Sequence, residues 1–552
     1  MHIPICKPSQ NLLFPSLLIA ALGMAPSLFA QREAYSTVDS LDKKMLNWQH
    51  LDLKAHKTAG IGTDKAYREL LSSLTPKQTV VVAVIDAGVD IAHEDLNGKV
   101  WTNKGEIPAN GIDDDGNGYI DDVHGWNFIG NAKGENIEYE NVEYTRILRK
   151  LKPEFEKYAN ADKVPADKKD GYALYLQCKA KYDTDLKKYE SQKQNIEGFE
   201  QRLAMAESAL RETLQADQLS IPSVKALKTK DKRVLAAKKM YLAVYQNGYT
   251  PQSLNSYKEH INKQLDTYLN FEFNPRTLLG DNVEDINDRH YGNNDVTGPD
   301  AFHGTFVAGI IAANRGNRLG IDGIAENVLI MSVRAVPEGD EMDKDVALAI
   351  RYAVDNGAKV INMSFGKAFS PQKQMVDEAL KYAESKGVLL VHGAGNDAQD
   401  VDAIPNYPNK FAADGYQASN WLNVGANAYK KDKTLPAVFS NYGQQNVDLF
   451  APGVNMVSLT TQNRYQMSDG TSFACPMVAG AAALIWSYYP NLSVQQLREI
   501  ILRSATPFPK LKVNRPSENR GKKKKDQVYF GSLSQTGGLL NIYEALKLAA
   551  TY

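Results

Sequence analysis

Cysteine is scarce in this chain, with three residues, Cys6, Cys178 and Cys475, in 552. That excludes a disulfide framework, and a chain this long can bury a large core instead. A surplus of charge of one sign is missing too: 64 basic residues face 65 acidic ones, a balance that points neither to nucleic acid nor to a membrane surface. The hydrophobic run near the N-terminus is short. The apolar stretch at 12–22 follows Lys7 and is interrupted by Pro15 and Gly23, whereas a membrane-spanning helix needs about 20 apolar residues. With A-P-S-L-F-A-Q after it, this stretch reads as a Sec-type signal peptide over residues 1–30, cleaved near Ala30. The mature chain is then expected to be exported, to the periplasm or beyond, to carry no integral membrane segment and to have lost Cys6.

Against this sparse background three polar residues stand in settings suited to acyl transfer. Asp86 closes V-V-V-A-V-I-D, an apolar run rich in β-branched residues that predicts a strand buried on both faces, with Gly88 permitting a tight exit. His303 opens H-G-T-F-V-A-G-I-I-A-A, a predicted buried helix in which Gly304 allows close approach. Ser472 opens S-F-A-C-P-M-V-A-G-A-A-A-L-I, and Pro476, lacking an N–H, leaves the serine's carbonyl without its helical partner. A serine hydroxyl needs a base in reach and a third group to hold that base in the useful tautomer, roles that His303 and Asp86 can fill. The Ser472 N–H, unpaired at a helix start, can face a developing oxyanion.

The order Asp, His, Ser is the one found in subtilisin, and the chain resembles the subtilisin-like serine proteases (subtilases) over about 79–128 and 271 to the end. The resemblance implies a three-layer α/β fold, a mostly parallel central sheet flanked by helices, and a serine endopeptidase acting on peptides or proteins through an acyl-enzyme, with no cofactor for catalysis. It implies that Asn396, in Ala394-Gly395-Asn396, is the second oxyanion donor. It also implies that Ser364, Phe365 and Gly366 form one wall of the primary specificity pocket, pairing with an extended substrate, and that Gly393, Ala394 and Gly395 form the other. Residues 332–340 would hold the second substrate edge. The acids Glu338, Asp340, Glu341 and Asp343 there read either as a solvated loop or as a site for basic substrate residues. Three positions depart from the family pattern: Ala87 stands where a serine or threonine is usual, so a hydrogen bond to Asp86 is expected to be missing; Phe306 replaces a frequent histidine; and Cys475 replaces alanine as a small packed thiol.

The sequence D-D-D-G-N-G-Y-I-D-D from Asp113 fits the front of a calcium loop, with Asp113, Asp115, Asn117 and Asp121 as candidate ligands; His124 at the twelfth position excludes a full EF-hand. An acidic turn is the other reading. By resemblance Asp95 also matches a position that often ligates calcium. Near the C-terminus the basic run at 522–525 reads as a solvated loop or, alternatively, a polyanion patch.

From Asp86 to His303 is 217 residues, where subtilases cover that step in a few tens. Residues 135–268 are therefore read as an all-helical insertion between two parts of the catalytic domain, 78–134 and 269–552, with an N-terminal extension at 31–77. Tyr182, Tyr189, Ile196, Leu203 and Leu210 recur every seven residues, supported by Leu186, Phe199 and Ala206, which predicts an amphipathic helix with a coiled-coil-like seam. Further helices are expected near 142–158, 231–245 and 253–268. The insertion's role stays open between structural appendage, cap over the cleft and docking arm for an unknown partner. A catalytically weak or inactive subtilase serving as a binding or adaptor protein is the alternative to the enzyme.

Overall fold

The computed structural model describes Val38 and residues 43–246, 248–517 and 526–552; the signal segment at 1–30 and the basic run at 522–525 lie outside the described residues. The described part forms two units, one of residues 33–147 and 272–552, the other of 148–271. Residues 135–147, assigned to the insertion from sequence, belong to the larger unit.

In the larger unit the apolar run Val80 to Ile85 forms an inner strand of a nine-stranded sheet, β1 (Val80–Asp86). Its principal companions are β2 (Gly125–Asn127), β3 (Val328–Arg334), β4 (Val360–Met363), β5 (Leu389–Gly393), β6 (Trp421–Asn427) and β7 (Leu449–Pro452), each parallel to its neighbours. A separate hairpin pairs β8 (Met456–Thr460) with β9 (Arg464–Ser468). Short strands β10 (Thr506–Pro507) and β13 (Gly538–Leu539) extend the sheet edge beyond β7, while β11 (Lys512–Asn514) and β12 (Gln527–Tyr529) pair with each other. Across the sheet the order is β10-β13-β7-β6-β5-β4-β1-β3-β2. Strand order reverses at β1, between β3 and β4, so Asp86 sits at a topological switch point, where ligands of open parallel sheets bind.

Alternation along each strand sends side chains to two faces. Val82, Val84, Ile330, Val391 and Val424 meet the helices Phe302–Ala312 and Thr471–Tyr488 on one. Ala83, Ile85, Met331, Met363 and Leu390 meet Asp343–Asp355 and Lys373–Ser385 on the other. This is an α/β sandwich of three layers. Among the described residues only Thr471–Tyr488 is long and apolar enough to cross a membrane, and it is 94% buried within the protein.

The segment before β1 is built into this core. Trp48, Gln49 and His50 are buried, and Ile61 binds the main chain at both ends, its N–H donating to Gln49 (2.8 Å) and its carbonyl accepting from Ile542 (2.8 Å).

In the smaller unit the seven-residue seam becomes one helix, Lys169–Leu214. Ile196, Phe199 and Leu203 pack on Leu254 and Ile261 of the helix Pro251–Lys263, and Ala206, Ala209 and Leu210 pack on Val224, Val234 and Tyr241. Tyr182, at the other end of the seam, packs its ring at a tilt on Phe271 (ring centroids 4.8 Å) and donates to the Leu269 carbonyl (2.9 Å). Tyr182 and Tyr189 are half-buried, so the seam closes tightly only in its second half.

Candidate functional site

The carboxyl ends of β1, β4 and β5 and the starts of two helices converge at one place. Asp86, 2% exposed, accepts the His303 Nδ1–H on both oxygens (2.8 and 2.9 Å). A carboxylate only accepts, so Nδ1 carries the proton and the Nε2 lone pair is left free. The approach depends on missing side chains: a Cβ on Gly304 would lie 2.2 Å from the Gly88 carbonyl and 3.1 Å from Asp86 Cβ. Where Ala87 has no hydroxyl to offer, its own N–H donates to Asp86 (2.9 Å). Burial alone would lower the His303 pKa, but the Asp86 charge and hydrogen bond overcome it and raise the imidazole above its ordinary 6.5.

Ser472 lies in the first turn of Thr471–Tyr488, and the ring of its neighbour Phe473 flanks both His303 (centroids 5.7 Å) and the buried Phe306 (4.2 Å). Its hydroxyl donates to the Ser364 carbonyl (3.1 Å) and not to His303. Conversely, Ser364 Oγ donates to the Ser472 carbonyl (2.8 Å), the group that Pro476 leaves unpaired. Ser364 thus braces Ser472, a role missed from sequence although Pro476 signals the orphaned carbonyl. Asn396, exposed, has its Oδ1 fixed by the Thr471 N–H and hydroxyl (both 2.9 Å), which leaves Nδ2 as its donor one residue from Ser472. Cys475 is fully buried, and burial pushes its thiol up to about 12, so it is inert at neutral pH.

Residues 364–366 and 393–395 extend the adjacent strands β4 and β5. A Cβ on Gly393 would come within 3.3 Å of the Thr471 carbonyl, and one on Gly395, at φ +105°, within 2.3 Å of Asn441 Nδ2. Phe365 is half-buried and Gly366 exposed, while the Ala394 carbonyl accepts from Asn441 Nδ2 (2.9 Å). Asn406, which no sequence signal singles out, touches both segments: its Nδ2 donates to Ala394 (3.3 Å) and lies 2.9 Å from where a Gly366 Cβ would be.

The expected second edge differs. At Glu338 both main-chain groups are already used, its N–H by the Glu138 carbonyl (2.8 Å) and its carbonyl by the Glu140 N–H (2.9 Å). Nor are the acids beyond it a solvated loop. Glu341 and Asp343 are buried, and Lys367, directly after Gly366 and itself buried, binds Glu143 Oε2 (2.7 Å), Asp343 Oδ1 (2.9 Å) and the Glu341 carbonyl (2.7 Å). Arg146 closes the cage through Glu143 (2.5 Å) and the carbonyls of Asn141, Asp340 and Glu341. Although burial opposes it, Arg146 and Lys367 hold the Glu143 carboxyl down at about 2.

Of the candidate calcium ligands, the structure gathers Asp113 and Asp115 with Glu106, their oxygens within 4.8 Å of one another. Asp121 lies outside this group and accepts the N–H groups of Asn110 (3.1 Å) and Gly111 (2.9 Å), and Asn117 Oδ1 accepts that of Tyr119 (2.8 Å). The gathered carboxylates also accept main-chain N–H groups, Asp113 from Gly118 (2.8 Å), Asp115 from Asn117 (3.0 Å) and Glu106 from Asp121 (3.0 Å). Three carboxylates are hard oxygen donors that suit calcium. Asp95 is fully buried apart from them, held by Asn317 Nδ2 (2.6 Å), with its pKa raised by burial.

The chain belongs to the subtilase family, whose model matches residues 77–531. It is 38% identical over 219 residues to the thermophilic serine proteinase of Bacillus sp. strain AK1, covering 38% of this chain and 50% of that protein. To subtilisin DY of Bacillus licheniformis it is 37% identical over 247 residues, 44% of this chain and 77% of that one. It thus spans about half the length of the AK1 proteinase and 52% of a thermostable alkaline protease of Halalkalibacterium halodurans. Among solved structures, a cold-adapted subtilisin-like serine proteinase matches at 29% identity and TM-score 0.34, covering 44% of this chain and 78% of that one.

The acid cage carries a pH signature. Burial pushes the Glu341 carboxyl up to about 8 from 4.5, so the folded state holds a proton that the unfolded state releases. Stability contributed by this group is full below about 4.5 and declines as pH rises toward about 8. Glu341→Gln is expected to flatten that decline, read as denaturant midpoints across the interval. An unchanged pH profile in the variant would show that Glu341 ionises normally.

Proposed function

We propose that the protein is an exported serine endopeptidase that hydrolyses peptide bonds in peptides or proteins. The observation that carries this reading is the Asp86–His303 hydrogen bond, which fixes the imidazole as the Nδ1–H tautomer beside the helix whose first turn holds Ser472. In the proposed cycle the Ser472 hydroxyl leaves the Ser364 carbonyl, His303 Nε2 takes its proton, and Oγ attacks the scissile carbonyl. Asp86 stabilises the imidazolium. Asn396 Nδ2 and the Ser472 N–H receive the oxyanion, each such donor contributing about 10²–10³ in turnover, a magnitude measured in subtilisin itself. The imidazolium then protonates the leaving amine, and water enters to release the acyl group. Residues 364–366 and 393–395 receive the extended substrate, and residues 1–30 direct export.

Three outcomes test the reading. A fluorophosphonate is expected to label the protein at Ser472, with labelling lost in Ser472→Ala; a well-folded protein that never labels is the adaptor, not the enzyme. Because the base acts as neutral imidazole, kcat/KM for a small ester should rise with pH through a midpoint above 6.5, the ordinary imidazole value. Asp86→Asn should move that midpoint down and cut kcat by about 10⁴. A wild-type midpoint at or below the ordinary value contradicts the role given to Asp86.

Calcium would be held by Glu106, Asp113 and Asp115, bracing the loop before β2. Thermal midpoints are expected to be higher with calcium than with a chelator, and the difference to shrink in Asp113→Asn/Asp115→Asn. Identical midpoints would dispose of the site.

A further inference from the structure

Net charge in the smaller unit is concentrated in one place. Residues 148–271 contain 23 lysines and arginines against 16 acidic residues. Seven of those cations and one acid, Asp231, fall within residues 225–239; the rest of the unit is balanced at 16 against 15. The balance elsewhere is also local, in pairs such as Lys179–Asp183, Lys181–Asp185, Arg211–Glu207 and Lys258–Glu200. Within 225–239 the one acid is spent on the main chain, capping the helix Lys232–Tyr245 through the N–H groups of Arg233 and Val234. Lys238 is half-buried and donates to the carbonyls of Lys225 and Leu227 (both 2.7 Å). The other six, Lys225, Lys228, Lys230, Lys232, Arg233 and Lys239, are exposed and form no ion pair among the described residues.

This cluster lies at the end of the unit remote from where the chain leaves it. Tyr182 meets the exit at Phe271, while the segment 224–241 packs on Ala206 to Leu210 of the same helix. At 1.5 Å per residue that is ~40 Å farther along. We propose that the helical unit is a docking arm whose cationic tip binds a membrane surface bearing anionic phospholipids. Clusters of four to eight lysines and arginines bind such surfaces, each cation near the surface adding a similar increment. The tip's composition selects this partner. Residues 225–239 contain no aromatic side chain on which nucleotide bases could stack. Six of the seven cations are lysines, point charges without the planar fork that reads an ordered carboxylate partner. They suit a laterally mobile field of phosphates.

The test uses the full chain with vesicles of phosphatidylcholine alone or with about a third phosphatidylglycerol. Co-sedimentation is expected with the anionic vesicles only, to disappear at about 0.5 M salt, and to weaken at least ~100-fold in Lys228→Glu/Lys230→Glu/Lys232→Glu. Hydrolysis of a small ester should be unchanged in that variant. Absence of wild-type binding at low salt, or equal binding by the variant, overturns the proposal. Tighter binding to a single-stranded oligonucleotide or a polyglutamate peptide than to the vesicles assigns the tip to that partner instead and equally overturns it.

Discussion

A carboxylate almost wholly removed from water must be compensated where it stands, and the architecture around Asp86 follows from that constraint. Its oxygens take the Ala87 N–H and the His303 imidazole. For the imidazole to arrive, a helix must pass so close to the strand exit that Gly304 cannot carry a side chain. The exit is in turn held from β3, where Arg334, paired in register with Asp86, donates to the Ala87 carbonyl (2.6 Å). Burial pulls that guanidinium down to about 10, so desolvation here falls on the cation too. An unpaired buried charge costs several kcal/mol, which makes strand end, glycine and helix start a single unit.

The same physics operates at the turn after Gly366. Lys367 follows Gly366 in sequence, and its main-chain N–H and carbonyl both pair with Tyr407 (2.9 Å each) while its ammonium enters the acid cage. Around that cage stand Glu140, Glu143, Asp340, Glu341 and Asp343 against two cations, Arg146 and Lys367. Two positive charges cannot compensate five carboxylates in a dry site. Burial pushes Glu341 and Asp340 up, with neighbouring acids adding to it, while Glu143, touched by both cations, is held down against the same burial. A turn fixed by buried ions has few alternative positions, as the wall proposed for an extended substrate would require.

Much of this was legible in sequence where a residue's role depends on its own element. The strand ending at Asp86 and the helices opening at His303 and Ser472 follow from apolar runs and small residues, and the seven-residue seam appears as Lys169–Leu214. What sequence did not reveal depends on contacts between distant segments. The acids at 338–343 read as solvated or substrate-facing because their cations come from Arg146 and Lys367, far away along the chain. The D-x-D-x-N-G spacing names side chains but not which of them the fold brings together; every one of them accepts a main-chain N–H, and Glu106, outside the template, joins Asp113 and Asp115 while Asp121 does not. Ser364 read as a wall because its hydroxyl's partner, the Ser472 carbonyl, lies 108 residues on.

Charge placement in the helical unit obeys a different logic from charge in the core. Exposed i,i+4 pairs along a helix add only tenths of a kcal/mol each, so stability does not demand the balance seen along most of Lys169–Leu214. Nor does it explain six cations at one end without an ion-pair partner among the described residues, whose mutual repulsion costs the fold something. Screening makes their position matter. At physiological salt the Debye length is about 8 Å, so a cluster ~40 Å along the helix from the chain exit is insulated from charges at that end. Its field therefore acts on whatever approaches the tip. A chain whose overall charge is close to zero thereby keeps a strongly cationic surface that its bulk composition conceals.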